Sequence, residues 1–393
     1  MTTPDRDPAA AGAAVYVHVP FCRSRCPYCD FNVLTGAGAE PQARYAAAVR
    51  AELSRVAAAG PAAVAPSDAD AQCGWPVFGS VFVGGGTPTQ LPAGDLAALL
   101  RHVREVLPLA ADAEITVEAN PEDVDGAYLA TLVDAGLTRL SIGAQSFVAH
   151  VLTFLGRGHD SGRALRAVAS ARDAAVPHVN LDLIYGSPCE TDEDWAATLD
   201  TAVASGADHL SAYALTVEAN TPYGVDVHRG AAAAPDDDVQ ADRMSAAEER
   251  LERAGLARYE ISNWARLGAQ SRHNLVYWRG GDWLGVGAGA HSHWRGRRWW
   301  NTRPTLRYVE QVHHGWPPVA GEEALDDATR RSERLLMGLR LVEGVPRAAV
   351  EPVDEAQTAR MVDAGLVTDE GGRLALTAAG RPLADDVIRR LLP

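Results

Sequence analysis

The stretch Tyr16-Val-His-Val-Pro-Phe-Cys22-Arg-Ser-Arg-Cys26-Pro-Tyr-Cys29 decides how the chain is read. It opens on an apolar run, Val15 to Val19, of β-strand length and composition. Three cysteines follow, spaced C-x3-C-x2-C. Thiolates suit iron, and three on one tight loop can hold three irons of a four-iron cubane. The fourth iron is then open to a small ligand, which is useful for binding a substrate directly. Zinc is the alternative, because Cys3His sites are common and His18 or another side chain would complete one. The cysteines number five, an odd count, and three lie within eight residues. That pattern suits a metal site in a reducing compartment, so a cytoplasmic location is expected. Cys73 and Cys189 read as bystanders.

Outward from this loop, short apolar runs alternate with longer stretches of helical period. The runs Val15–Val19, Ser80–Val83, Glu114–Glu118, Arg139–Gly143, Val179–Ile184 and His209–Ala214 are expected strands, each followed by a helical stretch. Such βα units in series predict an α/β fold with a parallel sheet and right-handed crossovers. A closed barrel takes eight units, so this chain predicts a partial, open (β/α)6 barrel. In such barrels the reactive groups gather at the C-terminal ends of the strands. Here those ends carry the cysteine loop, then Gly84-Gly85-Gly86-Thr87-Pro88, Glu118-Ala-Asn120, Gly143-Ala-Gln145, Asp182 and Tyr213, with Arg157 in the loop after the fourth strand. Three glycines after a strand let backbone approach a ligand closely. No Lys accompanies them, so a phosphate loop is disfavoured.

The rest of the chain divides by composition. Residues 1–14 are an expected disordered lead, and 15–320 the barrel. Residues 264–316 hold seven of the nine tryptophans and five of the twelve histidines. A Pro-containing linker is expected over 316–321. Residues 321–393 follow as a small winged-helix-like module, with helices over Asp327–Leu341 and Glu355–Ala364, a hairpin turning at Gly371-Gly372, and a last helix over Thr377–Leu392. Acidic residues sit among its arginines, which favours packing or a protein partner over DNA.

The formal net charge is −15, and no basic stripe runs along the chain, so nucleic-acid binding is excluded. Arg295, Arg297 and Arg298 form a local patch suited to the carboxylates of an acidic small ligand. No apolar run is long enough for a membrane span, and no secretory signal precedes Tyr16.

Taken together, the cysteine loop and the GGGTP turn resemble the radical S-adenosylmethionine (SAM) superfamily. Within it the chain is similar to the anaerobic coproporphyrinogen III oxidase branch, through YVHVPFC, GGGTPT, VEANP, SIGAQS, LGRGH and LDLIYGSP between Tyr16 and Pro188. The resemblance implies a 4Fe-4S cluster on Cys22, Cys26 and Cys29. Its open iron would chelate the amino and carboxylate groups of SAM, and an electron from the cluster, supplied to it by an electron donor, would cleave the sulfonium to give a 5′-deoxyadenosyl radical. It also implies a SAM site lined by Tyr16, Tyr28, Gly85, Gly86, Thr87, Glu118, Gln145, Arg157 and Asp182. Arg157 would pair with the carboxylate of SAM. Glu118 or Asp182 would accept its hydroxyls or ammonium, and Tyr28 would pack on adenine.

Two departures separate the chain from the oxidases. They carry a further cysteine two positions after the third ligand, where Phe31 stands here, and a longer N-terminal extension, where fifteen residues precede Tyr16. The chain is instead similar to the HemW-type haem chaperones, which share the CDF form and the H-N-x-x-Y-W motif, here His273 to Trp278. That resemblance implies haem as ligand, an acceptor protein to receive it, and His273 with Tyr277 as haem contacts. His291 and His293 are alternative ligands. A SAM-dependent enzyme acting on a porphyrin is the competing reading.

Overall fold

The computed structural model describes residues 12–61, 74–158 and 160–392. The expected lead, up to residue 11, and Cys73 lie outside the described residues. Ala13 and Ala14, placed in that lead by composition, instead begin the first strand. Ala14 pairs with Ser80 on one side and Trp283 on the other, so its backbone has partners on both edges.

The expected strands are all present and run parallel: β1 (Ala13–Val19), β2 (Phe78–Gly85), β3 (Leu109–Ala119), β4 (Arg139–Gln145), β5 (His178–Tyr185) and β6 (His209–Ala214). Period-two alternation sorts each into two faces. Val15, Val17, Val83, Val117, Ile142 and Leu181 are buried in one apolar core with the surrounding helices. The intervening residues are polar and bond to one another across strands. Arg139 Nε donates to Glu114 at 3.0 Å. Asn180 Nδ2 donates to Ser141 Oγ at 2.7 Å and to Ser211 Oγ at 3.0 Å. His209 Nδ1 lies 2.6 Å from Asn180 Oδ1. A buried polar group without a partner costs about 1–3 kcal/mol, so most of this inner face is paired, with Thr116 Oγ1 and Arg139 Nη1 the exceptions on β3 and β4.

The sheet continues past both ends of this set. On one side come β8 (Asn263–Ala265) and then β7 (Ala257–Glu260), antiparallel. On the other, β9 (Asp282–Val286) runs parallel to β1, followed by antiparallel β10 (His291–Trp294), β11 (Arg297–Asn301) and β12 (Val319–Ala324). The spatial order is β12-β11-β10-β9-β1-β2-β3-β4-β5-β6-β8-β7, an open sheet. The Trp- and His-rich segment thus supplies its extension. The linker expected over 316–321 is in part strand β12. Its residues are almost all exposed, so no apolar alternation announces it. Cross-strand charge pairs accompany it instead: Arg297 with Glu322, and Arg298 with Glu323 at 3.7 Å. Arg298 also bonds Glu333 at 2.7 Å. These pairs engage two of the three arginines expected to meet an acidic ligand.

The C-terminal module has helices Asp327–Gly338 and Glu355–Asp363 and the expected hairpin, Val367–Glu370 with Arg373–Leu376. Val345–Pro346 adds a third strand. The last helix is Ala384–Leu391, shorter than expected, because Gly380 and Pro382 place a 3-10 turn over Arg381–Leu383 first. The module has its own core around Leu335, Leu374, Val387 and Leu391. It meets the barrel at the edge strand β7, where the Val342 N–H donates to Tyr259 O at 3.1 Å and Glu260 bridges to Leu341.

Candidate functional site

The cysteine loop leaves β1 and is closed at its base by a short parallel ladder, Phe21–Cys22 against Leu34–Thr35. The Leu34 N–H donates to Pro20 O at 2.7 Å, and the Cys29 N–H to Cys26 O at 3.2 Å. Arg25 reaches back to Cys29 O at 3.1 and 3.2 Å. The loop is therefore shaped by backbone bonds before any metal enters.

The glycine turn after β2 packs directly beneath it. The Gly86 N–H donates to Val19 O at 2.8 Å, and a Cβ on Gly86 would sit 2.7 Å from the Pro20 carbonyl carbon. Gly85 has φ of +112°, and a Cβ there would strike the His18 ring at 2.3 Å. Only glycine fits these positions. The turn aims the Gly85 N–H at Glu118 Oε2, 2.9 Å away, and sets Thr87 Oγ1 3.6 Å from Cys22 Sγ. Across the opening, Arg157 Nη2 donates to Asn120 Oδ1 at 2.6 Å and to Gly143 O at 3.0 Å, while its Nη1 lies 3.6 Å from Cys26 Sγ. Gln145, at the end of β4, has φ of +65°, a left-handed conformation that a non-glycine residue adopts only under constraint.

These groups enclose a cavity of about 690 Å³ at the C-terminal ends of the strands. Cys22, Cys26, Cys29, Tyr28, Gly85, Gly86, Thr87, Glu118, Gln145, Arg157 and Asp182 all line it. Tyr16 does not. It faces the inner side of the sheet below, with its hydroxyl 3.1 Å from His18 Nδ1 and its ring stacked on Phe82. Its polar head made it a plausible ligand contact in sequence, but strand position puts it beneath the cavity. The lining also includes Asn120, Ser141 and Phe31, which the expected site left out. Asn120 follows the chosen Glu118 by two residues. Ser141 lies two before Gly143 on the inward face of β4, so period two would have found it.

The donor set fits an iron–sulfur cluster. Three thiols share one loop at the rim of a cavity, and Cys22 and Cys29 are partly buried, which raises both thiol pKa values. Iron binding must draw those protons off. His18 is unsuited to complete a zinc site. Its Nδ1 faces Tyr16 and its Nε2 lies 2.9 Å from Asn32 O. Two buried acids face the same space. Burial, and then the nearby Asp182, push the Glu118 pKa up to about 8 against the pull of the Gly85 N–H. Burial also raises Asp182, opposed by hydrogen bonds from Ser141, Ser211 and Asn180. Two buried carboxyls whose pKa values are both raised would gain from a cation placed beside them.

His273 and Tyr277 stand elsewhere. Glu114 Oε1 accepts the His273 N–H at 3.0 Å, and the side chain is 1% exposed. Its Nδ1 lies 3.0 Å from Ser80 Oγ and its Nε2 2.9 Å from the Tyr277 hydroxyl. Burial lowers its pKa to about 3. Both nitrogens are engaged, so in this structure the pair is a packed, bonded unit of the barrel interior, outside the cavity lining. His293 Nδ1 lies 3.3 Å from Gly281 O, while His291 is exposed and stacks on Trp300.

Residues 16–202 match the radical SAM superfamily, and residues 325–383 the HemN C-terminal domain. Heme chaperone HemW of Mycobacterium tuberculosis H37Rv is 45% identical over 96% of this chain and 94% of its own. Heme chaperone HemW of Bacillus subtilis is 29% identical over 96% and 99%. That of Escherichia coli K12 is 39% identical over 71% and 69%. The solved coproporphyrinogen III oxidase (HemN) from Escherichia coli superposes with a TM-score of 0.80 at 23% identity, covering 96% of this chain and 89% of that one, and so shares the fold. With a relative this similar along nearly its whole length, the chain belongs to the HemW family of the radical SAM superfamily.

Proposed function

We propose that this protein is a haem chaperone, which binds haem and passes it to an acceptor protein, and which carries a 4Fe-4S cluster and SAM in the cavity of its barrel. The near-full-length similarity to proteins named heme chaperone HemW carries this reading. When bound, the cluster supplies one electron and an open coordination position. Cys22, Cys26 and Cys29 would hold it. Arg157, its guanidinium oriented by Asn120 and Gly143, would pair with the SAM carboxylate. Glu118 and Asp182 would take the ammonium and ribose hydroxyls. Gly85, Gly86 and Thr87 would bring backbone to the ligand, Tyr28 would cover adenine, and Gln145 would contact the ligand from its constrained strand end. Tyr16 would act from below, by holding His18 against the glycine turn. Residues 321–393 would be a packing or partner module. The clustered cysteines suit a reducing compartment, which supports a cytoplasmic protein served by an electron donor for the cluster.

The test is anaerobic reconstitution of the full chain, followed by haem titration and a product assay on one preparation. Haem retained through gel filtration, with no CO2 released from coproporphyrinogen III, is the expected result. Turnover of coproporphyrinogen III would establish the oxidase reading in its place.

A pH effect follows from Glu118. Below about pH 8 its carboxyl is protonated in the empty cavity, and above it is a carboxylate. The permanent sulfonium charge of SAM prefers the carboxylate. Affinity for SAM should therefore rise with pH up to about 8, with a slope of at most about tenfold per pH unit, and then level off. Calorimetry across pH 6.5–9 reads this directly. Glu118→Gln should flatten the profile, and a wild-type profile that is already flat would remove Glu118 from the ligand's surroundings.

A further inference from the structure

The arm of the cysteine loop that follows Cys29 is tied to the Trp- and His-rich extension by a side chain outside the cavity lining, that of Asn32. Its Nδ2 donates to Ala288 O at 3.0 Å and to Arg303 O at 2.9 Å, carbonyls 256 and 271 residues further along the chain. Both protons of the amide are used, and both acceptors are carbonyls, so a carboxylate could not replace it. The backbone O of Asn32 is engaged as well, 2.9 Å from His18 Nε2 at the end of β1.

The acceptors are themselves held. In the turn after β9 the Ala288 N–H donates to the Tyr45 hydroxyl at 2.9 Å, and that hydroxyl donates to His18 O at 2.7 Å. The Gly287 N–H donates at 2.9 Å to the buried Glu52, which also accepts from Asn301 Nδ2 at 2.7 Å. Gly289, with φ of +75°, lets the turn come close, since a Cβ there would lie 2.8 Å from Asn32 Nδ2. Between this frame and Cys29 stand two exposed residues, Asp30 and Phe31. The Phe31 N–H nevertheless bonds the Cys29 sulfur: burial raises that thiol, and this hydrogen bond pulls the other way. Hydrogen bonds to the sulfurs are among the levers that set the potential of an iron–sulfur cluster, because they favour the more negative, reduced state.

We propose that Asn32 is a positioning residue for the cluster: by fixing the arm after Cys29 to the Ala288 and Arg303 carbonyls, it keeps the Phe31 N–H on the sulfur and so holds the one-electron potential up. The inference rests on Cys29 being a cluster ligand, as proposed above. It makes the extension β9 to β12 part of what governs the cluster, although those strands contribute no residue to the cavity lining.

The test is a potentiometric titration of the anaerobically reconstituted full chain beside N32A, N32Q and G289A, followed by the paramagnetic signal of the reduced cluster. In N32A the ratio of reduced to oxidised cluster at the wild-type midpoint should fall about tenfold, a midpoint lower by about 59 mV for a one-electron couple. N32Q keeps an NH2 group on a longer arm and should fall between the two. G289A changes no residue of the loop but presses on the Asn32 amide, and should shift the g-values and lower the midpoint in the same direction. A merely structural role would lower the thermal midpoint of the apo chain and leave the potential where it was. A wild-type potential and wild-type g-values in N32A overturn the proposal while the cluster reading stands. Where N32A holds too little cluster to titrate, a wild-type potential in G289A overturns it likewise. A wild-type chain that assembles no cluster overturns both.

Discussion

Replacing Cys26 with alanine is expected to leave a folded chain whose cluster content falls to background. A cubane held at three corners loses one of three anchors, and among the described residues no other thiol or imidazole lines the cavity. His18 has both nitrogens engaged, and Cys189 lies outside the cavity lining. The loop itself should survive. Its base is a backbone ladder, and the Thr87 N–H donates to Phe21 O at 2.7 Å, bonds that involve no cysteine side chain. Iron and sulfide per chain, together with the paramagnetic signal after reduction, read the first half of the claim. The thermal midpoint, unchanged within a degree or two of the apo wild type, reads the second. A Cys26→Ala chain that assembles a full cluster would show that the three thiols are not its anchors.

The largest effect on stability is expected at Glu114. This carboxylate is buried at 5% exposure and accepts from Arg139 Nε at 3.0 Å, from the His273 N–H at 3.0 Å and from the Arg272 N–H at 3.2 Å. Arg139, 2% exposed, also holds Ala269 O at 2.7 Å and Gln270 O at 3.1 Å. The pair thus ties β3 and β4 to the segment entering the His273 helix. Glu114→Ala leaves a guanidinium buried without its counter-charge, which costs about 3–5 kcal/mol. Denaturant unfolding monitored by circular dichroism should show the midpoint fall accordingly. Removing both charges, with Leu at 114 and Met at 139, should recover much of the loss, because burying two charges is itself expensive. A loss below about 1 kcal/mol in Glu114→Ala would mean that the charge is solvated in a way the packing does not suggest.

Much of this was legible in the residues. The strands announced themselves because their outward positions are valine, isoleucine and leucine at period two, and the glycine turn because no side chain fits beneath Pro20. The cysteine spacing and the strand-end residues converge on one cavity for a simple reason: parallel strands all point their C-terminal ends the same way. What sequence could not supply was partner choice over long separations. Nothing local says that Ala13 will lie beside Asp282, or that the exposed run Val319–Ala324 is a strand. Nor does a motif report burial. His273 and Tyr16 are polar residues in conspicuous sequences, yet an inner face built from hydrogen-bonded polar groups absorbs both.

The sheet has two outer margins, and they are finished differently. At β12 the margin bears Glu322 and Glu323 and their arginine partners, charged side chains that a further strand would have to desolvate. At β7 the finish is mechanical, because the C-terminal module lays Leu341 and Val342 along Tyr259 and Glu260. Cutting the chain near residue 325 would strip that margin bare and offer its unpaired amides and carbonyls to any passing polypeptide. Such a fragment is expected to aggregate more readily even with its cysteine loop and strand-end cavity untouched, because the terminal module is what covers that margin.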